Sequence, residues 1–261
     1  MPVQVESRSG VRVLTLDRPD VLNAFDTEFG KQFLDAVTDA AADPEVRCIV
    51  ITGAGRAFSS GEDLGALAGT YEKGEVPELG TTLVERYNPL IRAIVAAEKP
   101  VVAAINGVAA GAGASIALAC DYRVASAKAK LVIAFTKVGL VPDSGAVWFL
   151  SKMIGTSRAW ELAASARPVD AAEALQLGLV HRVAEPDEFE REWRALADEL
   201  ASGPTKAYAL TKRLLHRSTE LTLDEQLDAE VEAQTEAGRS TDHLEGVQAF
   251  LSKRPPKFQG R

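Results

Sequence analysis

Apolar and polar positions alternate along VRVLTLD (11–17), a period-two pattern that predicts a strand. The opening MPVQVESRSG alternates in the same way and lacks the apolar stretch of a secretion signal. RPDVLNAFD (18–26) carries turn residues and reads as a loop. From Asp26, suited to an N-cap, the spacing becomes helical. Phe29, Phe33, Leu34 and Val37 share one face of TEFGKQFLDAVTDAAAD, and Asp43-Pro44 ends it. VRCIVITG (46–53) is a run of strand length, predicted to be a buried strand. AGRAFSSGEDLGALAG reads as a loop leading into a helix, and the polar, glycine-containing stretch 69–80 as a mobile loop.

The order then repeats. TLVERYNPLIRAIVAAE is helical and Lys99-Pro100 breaks it. VVAAI (101–105) is a buried strand, and NGVAAGAGASIALACD turns from loop into helix. YRVAS and KLVI read as short strands, too close together for an intervening helix, which sets the chain apart from a plain doubly wound sheet. TKVGLVPDSGAVWFLSKMIG runs from loop into helix, and GLVHRVAE (178–185) is the last strand signal. Beyond about 195 every pattern is helical, and Asp242 and Glu245 are spaced like a capping box. The expectation is an α/β core over 1–195 and a helical segment over 196–261 that packs on this core or on a neighbouring subunit.

Composition narrows the function classes. A net charge of −8 argues against nucleic acid and against an anionic membrane surface. The run VVAAINGVAAGAGASIALAC is long enough to span a bilayer, but its central Asn-Gly and alternating glycines suit a soluble protein. Cys48 and Cys120 sit in apolar runs without metal-ligand spacing and read as buried small hydrophobes of a reducing, cytoplasmic compartment. His181, His216 and His243 are scattered, so no metal site is expected.

Two loops share one design. FSSGEDL (58–64) and AAGAGAS (109–115) each follow a buried strand and precede a helix. Small residues admit a ligand close to the backbone, and the first turn of a helix offers unpaired N–H groups. Two such groups facing one point make an oxyanion hole, the device that stabilises a thioester enolate. Tight helix–strand packing accounts for the same small residues equally well.

The stretches RPDVLNAFD, GAGRAFSSGEDL, KPVVAAINGVAAGAGASIALACDYRVAS, VGLVPDSGAVWFL and AAEALQLGLVHRV resemble, in order and across nearly the whole chain, the enoyl-CoA hydratase/isomerase (crotonase) superfamily. The resemblance implies a spiral of strand–strand–helix units, a helical C-terminal trimerisation region, and a homotrimer or dimer of trimers. It implies an acyl-CoA thioester as substrate, with CoA as part of that substrate and no separate cofactor. Carried over by position, the backbone N–H groups of Glu62 and Ala112 form the oxyanion hole, with the Glu62 carboxylate turned to solvent. Ala24, Ser60, Gly61, Asp63, Leu64 and Gly111 line the substrate and CoA side. Lys257 and Phe258 reach the CoA phosphate or adenine, in some members across subunits.

Hydratases of this family handle water with two glutamates, at the positions of Ser115 and Phe135 here. Neither residue can deprotonate water or deliver a proton. A carboxylate remains in GLVPDSG, at Asp143, where epoxyphenylacetyl-CoA and dienoyl-CoA isomerases carry a functional aspartate. FTKVGLVPDSG is closest to the first group, whereas dienoyl isomerases keep the glutamate replaced here by Phe135. From the residues alone Asp143 is also a credible helix N-cap. Asp121 and Arg123 read as structural, and the acyl pocket as walled by the 69–90 segment with Trp148 and Phe149. These signals point to a one-base isomerase of acyl-CoA thioesters. A non-catalytic acyl-CoA binder and a weak enoyl-CoA hydratase remain as alternatives.

Overall fold

The structure is a computed structural model that describes residues 2–261. Its strands fall into two sheets, and the chain moves between them in a regular alternation. An antiparallel pair, β1 (Val3–Arg8) and β2 (Val11–Leu16), opens the larger sheet. Helix α1 (Thr27–Ala42) follows, capped by the Asp26 carboxylate, which accepts from the Phe29 N–H. From there each unit gives one strand to each sheet and closes with helix. Strands β3 (Cys48–Gly53) and β4 (Ala57–Ser59) precede the short helices α2 (Ala68–Glu72) and α3 (Leu79–Thr82), a π-helical turn (Leu83–Tyr87) and α4 (Asn88–Ala96). Strands β5 (Val101–Ile105) and β6 (Val108–Ala110) precede α5 (Ala112–Ala119). Strands β7 (Tyr122–Ser126) and β8 (Lys130–Val132) precede a 3-10 turn (Ala134–Val138) and α6 (Ala146–Ser165), which breaks at Gly155.

Two short strands, β9 (Val169–Asp170) and β10 (Arg182–Ala184), flank α7 (Ala171–Gln176) and complete the sheets. The larger has the order β1-β2-β3-β5-β7-β10 and the smaller β4-β6-β8-β9. This is the expected spiral of strand–strand–helix units. The closeness of 122–126 and 131–134 is explained, because β7 and β8 belong to different sheets. Reading 107–115 as loop and helix missed β6, which is too short to show a period. The 69–80 stretch is not a plain loop either, since it holds most of α2.

Both faces of the larger sheet are covered, as its runs of Val and Ile require. Ile49 and Ile51 face a core shared with α1, α4 and α5, while Cys48 and Val50 face Trp193, Leu196 and Ala197. Those last residues lie on α8 (Phe189–Ser202), so the boundary expected at 195 falls inside a helix that belongs to the core. Helices α9 (Thr205–Arg217), α10 (Leu223–Gly238) and α11 (Thr241–Leu251) follow. The capping box lies at Thr222 and Glu225 rather than at Asp242 and Glu245. Asp242 instead accepts from the N–H groups of Gln259 and Gly260, and Glu245 pairs with Arg254. No helix among the described residues is long and apolar enough to cross a membrane.

One buried amide ties the N-terminal loop to the smaller sheet. Asn23 is fully buried in a left-handed conformation. Its Nδ2 donates to the carbonyls of Ala54, Ala57 and Phe58, and its Oδ1 accepts from the Arg18 N–H. Asn tolerates this backbone better than other side chains. Asn23→Ala strands these buried groups and is expected to lower stability by about 2–3 kcal/mol. Chemical denaturation checks it, as a lower midpoint at unchanged slope.

Candidate functional site

The site follows from the pairing of β4 with β6. These strands run parallel, with Ala57 opposite Val108, so their C-terminal ends lie side by side. The chain leaves β4 through Ser60, Gly61 and Glu62, and leaves β6 through Gly111 into α5. The two exits touch: a side chain at Gly61 would stand 3.1 Å from the Ala112 nitrogen and 2.9 Å from the Ala110 carbonyl oxygen. Gly111 has φ 52° and ψ −127°, a combination that only glycine adopts without strain. The N–H groups of Glu62 and Ala112 donate to no acceptor among the described residues. That of Ala112 is one of the free N–H groups opening α5, at the positive end of its dipole.

A cavity of about 180 Å³ opens in front of these two loops. Ser60, Glu62, Leu64, Gly111, Ala112 and Asp143 line it, so the structure brings six of the predicted residues together. Gly61 lies just behind, as the contact above shows. Ala24 and Asp63 stand back from the cavity. The Ala24 carbonyl accepts from Arg18, and the Asp63 carboxylate pairs with Arg18 and accepts from the Ala66 N–H. Both therefore brace the loop instead of lining the pocket. Lys257 and Phe258 lie in the C-terminal tail, where the Lys257 N–H donates to Glu245 and the Phe258 carbonyl accepts from Arg47. They do not reach the cavity within one chain.

Asp143 is placed by the turn before α6. Ser144 and Gly145 both take positive φ, and Gly145 is the N-cap of α6, with no side-chain cap bond. The cap role open to Asp143 is thus not filled. Its carboxylate, half-buried at the cavity wall, accepts from the Ser144 hydroxyl at 2.7 Å. Burial pushes its pKa up; the Ser144 bond opposes this, and the nearby Glu62 charge adds to it. Ser115 is fully buried, and its hydroxyl donates to the Asp143 carbonyl at 3.1 Å and the Gly111 carbonyl at 3.3 Å. It is a tie between α5 and the Asp143 turn. Phe135 presents its ring to the cavity.

Two expectations about the walls need correction. The Glu62 carboxylate is not turned to solvent. Arg86 Nη2 donates to both of its oxygens at 2.7 Å, and the Tyr87 hydroxyl donates to Oε2 at 2.5 Å. Trp148 and Phe149 do not wall this pocket. They line a separate hollow of about 540 Å³ between α6 and α9, together with Lys212 and His216. Asp121, which accepts from Lys212 and from the Val101 N–H, borders that hollow in a structural role. Arg123 is buried and donates to the carbonyls of Leu179 and Cys120. The expected 69–90 wall is present, as Tyr71, Pro77, Leu79, Thr82, Leu83 and Tyr87. Among the described residues no three His, Cys, Asp or Glu side chains are placed to hold a metal.

Arg86 and Tyr87 were not singled out in the sequence. The available signal was an arginine and a tyrosine on the helical stripe that runs from Leu83 to the buried Leu90 and Ile94.

The raised pKa of Asp143 has a consequence for stability. The fold disfavours the ionised carboxylate, so the penalty is absent below the unfolded pKa of about 4 and grows as pH rises through the folded value. Asp143→Asn is therefore expected to raise Tm near pH 7 and to leave it unchanged at about pH 3. Thermal melts across that range check the sign.

Comparison with known proteins agrees with this geometry. A family model described as "Enoyl-CoA hydratase/isomerase" matches residues 6–261. A "Probable enoyl-CoA hydratase" of Rhodobacter capsulatus is 44% identical over 99% of this chain and 98% of its own length. The 1,2-epoxyphenylacetyl-CoA isomerase of Escherichia coli is 41% identical over 97% of this chain and 96% of its own. A crystal structure of enoyl-CoA hydratase from Bacillus anthracis superposes with a TM-score of 0.93 at 30% identity, covering all of both chains. With the spiral of two sheets and a match along nearly its entire length, the chain belongs to the enoyl-CoA hydratase/isomerase family of the crotonase superfamily.

Proposed function

We propose that the protein is an isomerase of acyl-CoA thioesters that moves a double bond through an enolate, with Asp143 as the proton shuttle. The observation that carries this reading is the cavity wall. Two N–H groups without an acceptor among the described residues border the same cavity as the half-buried Asp143 carboxylate, while the two positions that handle water in hydratases of the family hold Ser115 and Phe135. With the thioester oxygen between the N–H groups of Glu62 and Ala112, ionised Asp143 takes a proton from C2 of a 3-enoyl thioester. The negative charge spreads onto the thioester oxygen, where the two donors stabilise it. Protonated Asp143 returns the proton to C4, and the double bond ends between C2 and C3. No water enters and no cofactor is consumed, because CoA arrives as part of the substrate. An aryl epoxide thioester is a further substrate class for this site, since the E. coli relative is named for one.

A raised pKa suits this role, because one group must act as both base and acid. The acidic surface and the absence of a spanning helix among the described residues agree with a cytoplasmic enzyme. Exposed Leu223, Leu227, Val231, Val247, Phe250 and Leu251 on α10 and α11 support assembly into a trimer or a dimer of trimers. The contact of Lys257 and Phe258 with the CoA of a neighbouring subunit is part of the same proposal, since both lie in the C-terminal region next to α11.

One observation favours the hydratase alternative: a second carboxylate, Glu62, also lines the cavity. Its oxygens, however, are taken by Arg86 and Tyr87. The test is solvent-deuterium exchange into a 3-enoyl-CoA and its 2-enoyl isomer. The wild type is expected to exchange and to interconvert them, and Asp143→Asn to lose both by about 10³-fold. Rapid hydration of crotonyl-CoA that survives Asp143→Asn would establish the hydratase reading. Binding without exchange across several chain lengths would establish a carrier.

A further inference from the structure

Glu62 gives its N–H to the hole, yet its half-buried side chain is held in a cluster that the reaction above does not use. Arg86 and Tyr87 are consecutive residues of the π-helical turn, in which the Asn88 N–H reaches the Leu83 carbonyl five residues back. Turns of this kind are rare and concentrate at functional sites. Both side chains bond the Glu62 carboxylate, and the Arg86 side chain is only 8% exposed. Arg86 Nη1 has no partner among the described residues, so Glu62 is what balances the buried guanidinium. Burial and the Glu62 charge push the Tyr87 pKa up, so its hydroxyl stays protonated and donates.

Room for Arg86 is made in α1. A Cβ at Gly30 would stand 2.3 Å from Arg86 Cδ.

The groups around Asp143 single out Glu62 further. The first turn of α6 carries no acidic or basic residue. Helix α5 brings no ionisable side chain, only the Ser115 hydroxyl bonded to the Asp143 carbonyl. The 134–138 turn brings Lys137, which is exposed. The opposite wall brings Tyr71 and Tyr87. Besides Asp143 itself, Glu62 is the one acidic or basic residue among the described residues that lines the cavity, and its charge acts on Asp143.

We propose that Glu62, Arg86 and Tyr87 form a positioning device that fixes the Glu62 N–H of the oxyanion hole against the pocket wall and holds the Glu62 carboxylate in one place near Asp143. The proposal deepens the isomerase reading and rests on it for its catalytic meaning. Geometrically, the carboxylate is the far end of a short lever whose near end is the donated N–H. A clamp at the far end limits rotation of the peptide that must point at the oxygen. Electrostatically, the Glu62 charge near Asp143 raises its proton affinity, which helps the return of the proton to carbon.

The test uses the neutral pair Glu62→Gln with Arg86→Gln, which removes both charges and leaves no buried ion unbalanced. Gly30→Ala adds a probe outside the site that displaces Arg86 while leaving Glu62 in place. Two readouts need no turnover: the carbon-13 titration of the Asp143 carboxyl, and the infrared carbonyl band of bound 1-13C-butyryl-CoA. The neutral pair is expected to lower the Asp143 midpoint. It is also expected to return the carbonyl band part of the way to its free frequency and to lower the deuterium-exchange rate by about tenfold. Gly30→Ala is expected to move the carbonyl band in the same direction. Variants that lose thermal stability but leave both midpoint and band unchanged would reduce the cluster to a packing role and overturn the proposal. If the wild type binds butyryl-CoA but exchanges no deuterium, the isomerase reading fails, and midpoint and band still decide for or against the device. If butyryl-CoA does not bind, the thioester reading fails and the Asp143 midpoint alone decides.

Discussion

The parallel pairing of β4 with β6 is the constraint on which the site depends. It is short, with Ala57 opposite Val108 and a register shift before Ser59. Yet it sets two chain exits side by side and leaves both pointing the same way. Each exit then presents a backbone N–H without a partner, which no side chain needs to supply. Asn23 secures the outer of the two strands by gathering three carbonyls around Ala54–Phe58, and Arg18 secures the loop beyond by pairing with Asp26 and Asp63. The effort spent on this region is polar and local, unlike the larger sheet, which is held by apolar burial on both faces.

Around this frame the chain gathers charge where a hydrophobic pocket would otherwise be simplest. A buried guanidinium, a carboxylate and a phenol lie on one side of the cavity and a second carboxylate on the other. Taking such groups out of water is costly unless they compensate one another. Arg86 and Glu62 do, whereas among the described residues the Asp143 carboxylate has only the Ser144 hydroxyl and remains poorly matched. That contrast separates a side chain held still from one free to change its protonation state.

Much of the fold was legible because the strand runs and helix faces are long and regular, as in 46–53, in α1 and in α9–α11. Strands of three residues were not, because β6 offers no period to read. Ser60, Glu62, Gly111, Ala112 and Asp143 were legible through the resemblance of their loops to the family, since by residue pattern alone the small-residue loops fitted tight packing equally well and Asp143 fitted a helix cap. The Glu62 carboxylate was misjudged because its partners, Arg86 and Tyr87, lie 24 and 25 residues away in a helix whose pattern looks ordinary. Trp148 and Phe149 were misplaced for a related reason. Sequence puts them near Asp143, but the turn at Ser144–Gly145 sends α6 off so that they face α9. Proximity along the chain says nothing about the side of a helix that a residue occupies once a left-handed turn has redirected it.

The Ser115 hydroxyl joins the Asp143 carbonyl to the first turn of α5. The Asp143 turn and the start of α5 are thereby tied together, while Tyr71, Leu79 and Thr82 of the separate short helices α2 and α3 supply part of the cavity wall. In the function proposed above, chemistry and size selection therefore sit in different pieces of chain, and substitution at Leu67, Tyr71 or Leu79 resizes the pocket without disturbing the Ser115–Asp143 tie. The freedom to diversify ends at Arg86 and Tyr87, where the wall is tied back to the hole.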